Sequence, residues 1–209
     1  MLINADFSLR ATVTPTDYRW VASPQPGVER VMLDRVGEEI ARATSLVRYA
    51  RNSSFPPHQH PGGEEILVIE GVFSDEQGDY PAGWYLRNPP GSSHSPRSRQ
   101  GAVILVKLCQ MHSEDSQSVR IDSGDPLNWN FVGGRVTCTL FSGNNEHVSM
   151  ERLIEGQLLS IAPSGGNEVF ILSGKLSMDG ECYPAGSWLR LPTGSTPDIC
   201  SLEPSLMFV

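Results

Sequence analysis

Pro57-His58-Gln59-His60-Pro61-Gly62-Gly63-Glu64 and Pro89-Pro90-Gly91-Ser92-Ser93-His94 are the two stretches that decide how this chain folds. Two histidines two residues apart on an extended strand face the same way. The Pro61-Gly62-Gly63 run is turn chemistry, and it can fold the next strand back so that Glu64 lies opposite them. A second Gly-bearing turn, Pro89 to Gly91, delivers His94. Together His58, His60, Glu64 and His94 read as three imidazoles and a carboxylate turned toward one point. That donor set suits a first-row divalent ion: zinc, iron, manganese or nickel.

Working outward, the chain repeats itself. Shifted by 103 residues, Gly62-Gly63-Glu64-Glu65-Ile66 lies over Gly165-Gly166-Asn167-Glu168-Val169. Tyr80-Pro81-Ala82-Gly83 lies over Tyr183-Pro184-Ala185-Gly186, and Leu86-Arg87-Asn88-Pro89-Pro90-Gly91-Ser92 over Leu189-Arg190-Leu191-Pro192-Thr193-Gly194-Ser195. Between 62 and 94 there are 14 identities in 33 ungapped positions. Chance would give about two at ordinary residue frequencies. A period this long means two copies of a small domain, not a solenoid.

Within each copy the elements are short β-rich runs such as Thr44 to Tyr49, Ile66 to Ile69 and Val103 to Lys107, punctuated by Gly, Pro, Asn or Ser. Only Gly37-Glu38-Glu39-Ile40-Ala41-Arg42 has a helical flavour, and it is very short. The expected organisation is an N-terminal arm over 1–25 that pairs with one of the sheets, and a metal-binding domain over 26–112. A polar linker over 113–128 and a second domain over 129–209 follow.

This arrangement resembles the cupin superfamily, whose first motif runs Gly-x5-His-x-His-x3-Glu-x6-Gly. Here it reads Asn52-x5-His58-x-His60-x3-Glu64-x6-Gly71. The second motif, Gly-x5-Pro-x-Gly-x2-His-x3-Asn, reads Gly83-x5-Pro89-x-Gly91-x2-His94-x3-Ser98. Asn52 replaces a glycine and Ser98 an asparagine. The first change is benign, because Asn tolerates positive φ nearly as well as Gly. The resemblance implies an all-β bicupin: two tandem cupin domains, each a double-stranded β-helix jelly roll. More narrowly, Pro57 to Gln110 resembles the ChrR-type cupins, where an anti-sigma factor holds zinc through this His, His, Glu, His set. In that family, oxidative stress releases the sigma factor. The likeness implies a metal-binding regulatory protein with a sigma factor or other regulatory protein as partner. The family's separate His-x3-Cys-x2-Cys module, which grips the sigma factor, has no counterpart in this sequence. Sheet edges in cupins commonly pair between subunits, which implies a homodimer.

The second copy has Ile161, Pro163, Asn167 and Pro197 at the four ligand positions, so it is scaffold without a metal site. It also separates Glu64 from its neighbour. Glu65 keeps its counterpart, Glu168, while Glu64 changes together with the histidines, which makes Glu64 the ligand. Arg87 and Arg190 match across both copies, which points to a structural ion pair. His112, His147 and the tryptophans read as surface and packing residues.

Composition narrows the function. A chain of 209 residues with 39% hydrophobic and 19% charged residues is an ordinary globular protein. A formal charge of −8 and no Lys/Arg cluster argue against direct nucleic-acid binding. There is no bilayer-length apolar run and no visible signal peptide, and the four cysteines form no Cys-x-x-Cys pair. Free thiols in a cytoplasmic protein are the expectation. Three functions fit: a ChrR-like regulator, a metal-dependent dioxygenase acting on a small carbonyl or diketone, and a purely structural metal site. No catalytic residue beyond the ligands can be named.

Overall fold

The computed structural model describes residues 1–38 and 40–209. Their regular structure is antiparallel β-strand, with two short 3-10 turns at Pro15–Asp17 and Pro126–Asn128. The segment read as faintly helical joins the paired strands Val28–Gly37 and Ala41–Tyr49, and Glu39 lies outside the described residues.

Two compact units are present. The first comprises Met1–Ala5 with Arg19–Gly124, the second Asp6–Tyr18 with Asp125–Val209. In the first, the long strand Glu64–Ser74 pairs with Ala102–Leu108 on one side and Trp84–Asn88 on the other. Strand alternation sends Ile66 and Val68 into a core with Phe73, Tyr80, Leu86 and Ile104. Glu64 shares their face, while Glu65 points the opposite way. In the second unit Asn167–Ser173 is the central strand, and Val169, Ile171, Leu189, Leu191 and Met207 fill its core.

The duplication is kept down to the ladder register. Glu64 pairs with Asn88, Glu65 with Arg87 and Ile66 with Leu86 in the first unit. Asn167 pairs with Leu191, Glu168 with Arg190 and Val169 with Leu189 in the second. Even a bulge recurs: the ladder slips between Val103 and Ile104, and again between Ile171 and Ser173. A bulge re-aims a strand, so an inherited bulge is an inherited curvature.

The outermost strand of each main sheet comes from a segment without a strong strand pattern. Trp84–Asn88 is flanked by Val119–Asp122, and Trp188–Leu191 by Ala11–Val13. Residues 113–128, expected as a polar connector, therefore contribute a strand to the first unit. Val119-Arg120-Ile121-Asp122 does alternate, but four residues between Ser- and Asp-rich flanks are too few to stand out. The N-terminal segment divides. Leu2–Ile3 pairs with Arg35 and Val36 of the first unit, whereas Ala11–Val13 joins the second.

Gly71 and its counterpart Gly174 show why the repeat retains glycine. Their φ values are +71° and +81°. A Cβ at Gly71 would stand 2.0 Å from the Gly101 carbonyl oxygen, and one at Gly174 would stand 2.6 Å from that of Pro204. Gly71→Ala or Gly174→Ala combines a strained left-handed backbone with a backbone clash. Each is expected to cost about 2 kcal/mol or more, read as a lower melting temperature. Gly91→Ala is the comparison, since a Cβ there meets nothing within 4 Å and only the φ penalty remains.

Candidate metal centre

His58–Gln59 pairs with Ser93–His94 so that His58 and His94 lie directly opposite each other. His60 is clasped through its backbone. Its N–H donates to the Ser92 carbonyl at 2.9 Å, and its carbonyl accepts from Gly63 at 3.2 Å and Gly91 at 2.9 Å. The turn closed by the Gly63 N–H has Pro61 second and Gly63 fourth, with φ +77° at Gly63. Pro89 to Ser92 has Pro90 second and Gly91 third with φ +82°, the pattern of a type II turn. The two Pro/Gly turns thus meet on one residue, His60. Upstream, Asn52 adopts φ +59°, the conformation that its replacement of a glycine requires.

One ligand atom from each of His58, His60, Glu64 and His94 lies within 4.8 Å of the other three. His60 Nε2 is 3.4 Å and His94 Nε2 is 3.3 Å from the same Glu64 oxygen, Oε2. The imidazole centroids stand 4.6 to 5.0 Å apart. His60, Glu64 and His94 are only 3%, 5% and 6% exposed, and His58 is partly exposed. Glu65 faces away: its carboxylate lies 3.2 Å from buried Arg87 and accepts from the Tyr85 hydroxyl at 2.5 Å. Arg87 also meets Asp115 at 2.5 Å, whereas Arg190 stacks on Phe7.

The donor atoms fit a divalent cation. His58 Nδ1 lies 3.1 Å from the Pro56 carbonyl and His60 Nδ1 lies 3.0 Å from Ser92 Oγ. The Pro56 carbonyl can only accept, so it holds the proton of His58 on Nδ1 and leaves Nε2 with a lone pair, the tautomer that a metal needs. The Ser92 hydroxyl can accept from His60 Nδ1 in the same way. Nε2 of His60 and of His94 is buried and makes no hydrogen bond. Leaving such atoms unsatisfied costs about 1–3 kcal/mol each. A cation at their convergence would satisfy all four donors at once. Burial holds His60 below its ordinary pKa, against the pull of Glu64, which keeps it neutral. Burial pulls His94 down too, but Asp75 and Glu64 outweigh it and its pKa ends raised.

Three residues that the sequence analysis passed over surround the ligands. Asn88 Nδ2 donates to Glu64 Oε2 at 2.9 Å. Asp75, fully buried, faces His94 Nδ1 at 3.7 Å through Oδ2. Arg120 reaches both. Asn88 and Asp75 share one sequence signal: each becomes apolar in the copy that lost its histidines, as Leu191 and Met178. In that copy one bond of the clasp survives, since Gly194 donates to the Pro163 carbonyl at 2.9 Å just as Gly91 does to His60, while Pro163 has no N–H to donate.

His60→Ala or His94→Ala is expected to abolish stoichiometric metal binding and remove the metal-dependent part of thermal stability. Elemental analysis and melting curves with and without chelator check this, with His112→Ala unchanged. Acid should release the ion. A proton on His94 competes with it, so apparent affinity falls about tenfold per pH unit and per displaced proton once pH drops below the raised His94 value. Metal titrations at successive pH values read that slope.

A family model described as the ChrR cupin-like domain matches residues 8–112. Comparison with curated protein sequences finds no match. Among solved structures, a candidate dioxygenase from Nostoc punctiforme PCC 73102 superposes with TM-score 0.72 at 16% identity, covering 100% of this chain and 80% of that one. A candidate glyoxylate-induced protein from Pseudomonas aeruginosa gives 0.72 at 15%, covering 95% and 86%. The bacterial pirin YhhW from Escherichia coli, in complex with nickel(II), gives 0.69 at 11%, covering 96% and 98%. At such identities these likenesses establish the fold alone. No helix among the described residues is long and apolar enough to cross a membrane. With its motif spacings, its four convergent donors and the match over half its length, the chain belongs to the ChrR cupin-like family.

Proposed function

We propose that this protein is a ChrR-like regulatory cupin that holds one zinc ion through His58, His60, Glu64 and His94. The observation that carries the reading is the convergence of three imidazoles and one carboxylate, three of the four buried, with Nε2 of His60 and of His94 left without a hydrogen bond. Two donors about 2.0–2.1 Å from one ion at a tetrahedral angle stand about 3.4 Å apart. The 3.3 and 3.4 Å separations from Glu64 Oε2 match that spacing for two of the donor pairs, within a set whose separations reach no more than 4.8 Å. When bound, zinc supplies charge and fixed coordination without redox chemistry, so it would act on conformation. In this reading the ion ties the His58 and Ser93–His94 strands to Glu64, and its loss loosens a surface read by a regulatory partner such as a sigma factor. A homodimer in the cytoplasm completes the proposal.

A second reading, a non-haem Fe(II) dioxygenase acting on a small carbonyl or diketone, is favoured by the partial exposure of His58. That ligand leaves one side of the cluster open to a small molecule. One experiment separates the two. Protein purified without added metal is assayed for metal content and for oxygen uptake with small diketones. One zinc per chain and no oxygen uptake is the expected outcome. Iron or manganese at that stoichiometry, with substrate-dependent oxygen consumption, would replace the regulatory reading by the enzymatic one.

A further inference from the structure

Arg120 lies on Val119–Asp122, opposite Leu86, in the stretch of chain beyond the family match. Its Nη2 donates to Asn88 Oδ1 at 2.7 Å, and Asn88 in turn donates to Glu64 Oε2 at 2.9 Å. Two hydrogen bonds therefore connect the guanidinium to the carboxylate of the cluster. The same Nη2 stands 3.9 Å from Asp75 Oδ2, the oxygen that faces His94 Nδ1. The other Asp75 oxygen is occupied by the Gln77 and Gly78 N–H groups and the Tyr80 hydroxyl. Nε of Arg120 reaches that hydroxyl at 3.4 Å, and Nη1 is anchored on the Arg87 and Val119 carbonyls at 3.1 and 2.8 Å. The guanidinium thus hydrogen-bonds the partner of Glu64 and sets its charge beside the partner of His94.

The second unit is an internal control. Thr12 faces Leu189 there as Arg120 faces Leu86 here. Asp75 and Asn88 become Met178 and Leu191, while Glu65 and Arg87 keep their counterparts Glu168 and Arg190, opposite each other in the ladder. Asp75 and Asn88 are thus replaced along with the ligands, and the strand that flanks the second unit, drawn from another segment, offers Thr12 and no cation at the place of Arg120.

We infer that Arg120 is a positioning residue of the metal centre, orienting Glu64 through Asn88 and His94 through Asp75. The inference rests on the divalent-metal reading of the cluster. Outer partners of this kind are worth about 10–100-fold in metal affinity. The test is zinc affinity by chelator competition and the cobalt(II) absorption spectrum, for wild type, Arg120→Ala and Arg120→Lys, with the melting temperature of each metal-free protein alongside. Arg120→Ala should bind zinc about 10–100-fold more weakly and shift the cobalt bands. Arg120→Lys should recover little, because one ammonium cannot keep the Arg87 and Val119 carbonyls while also reaching Asn88 and Asp75. Wild-type zinc affinity and an unshifted spectrum in Arg120→Ala would show that Arg120 only staples the outer strand, even if the melting temperature falls. Should Arg120→Ala not fold, Asn88→Leu and Asp75→Asn cut the two arms separately, and undiminished zinc binding in both would overturn the proposal. Wild-type protein that binds neither zinc nor cobalt would instead remove the metal reading itself.

Discussion

Burying polar donors without a partner is the constraint around which the first unit is arranged. Nε2 of His60 and of His94, together with Oε2 of Glu64, sits in an almost solvent-free space, and the two imidazole nitrogens make no hydrogen bond. Water is largely excluded, and a shared cation would relieve the cost of desolvating them together. The surrounding backbone serves that convergence. Two Pro/Gly turns close on the main chain of His60, and one short ladder sets His58 against His94. Strand alternation along Glu64–Ser74 then decides which of two adjacent glutamates enters the cluster.

The duplication shows how little of the fold depends on that cluster. The second unit keeps the register, the bulge, the crowded glycine and the turn that clasps residue 163, yet its equivalent strands close over a hydrocarbon core. Leu191 stands where Asn88 does and is fully buried, so the hydrogen bond that steadies Glu64 has been exchanged for apolar packing. A jelly-roll frame of this kind is stable with either filling. The chemistry is therefore a property of a handful of side chains placed on the frame.

How much of this was legible in the sequence follows from the range of the interactions involved. The ligands lie at fixed spacings around Pro/Gly turns, and turn chemistry is local, so His58, His60, Glu64 and His94 can be read in one dimension. The repeat is legible for the same reason, and comparing the two copies separates Glu64 from Glu65. Arg120 is not legible. It acts across a sheet from a four-residue strand, and nothing in Val119 to Asp122 declares which strand it will join. The outer strands share this difficulty: Ala11–Val13 enters a sheet formed by residues more than a hundred positions away. Asp75 and Asn88 lie between these cases. Their loss from the second copy is visible, but only the coordinates give it meaning.

The central claim is that one cation is held by three imidazoles and one carboxylate within a single chain. X-ray absorption at the metal edge of protein purified without added metal tests it most directly. The account predicts one ion per chain with a first shell of nitrogen and oxygen at about 2.0–2.1 Å, carrying the outer-shell scattering of three imidazole rings and no sulfur. A sulfur-bearing shell, fewer than two imidazoles, or no bound ion would contradict it.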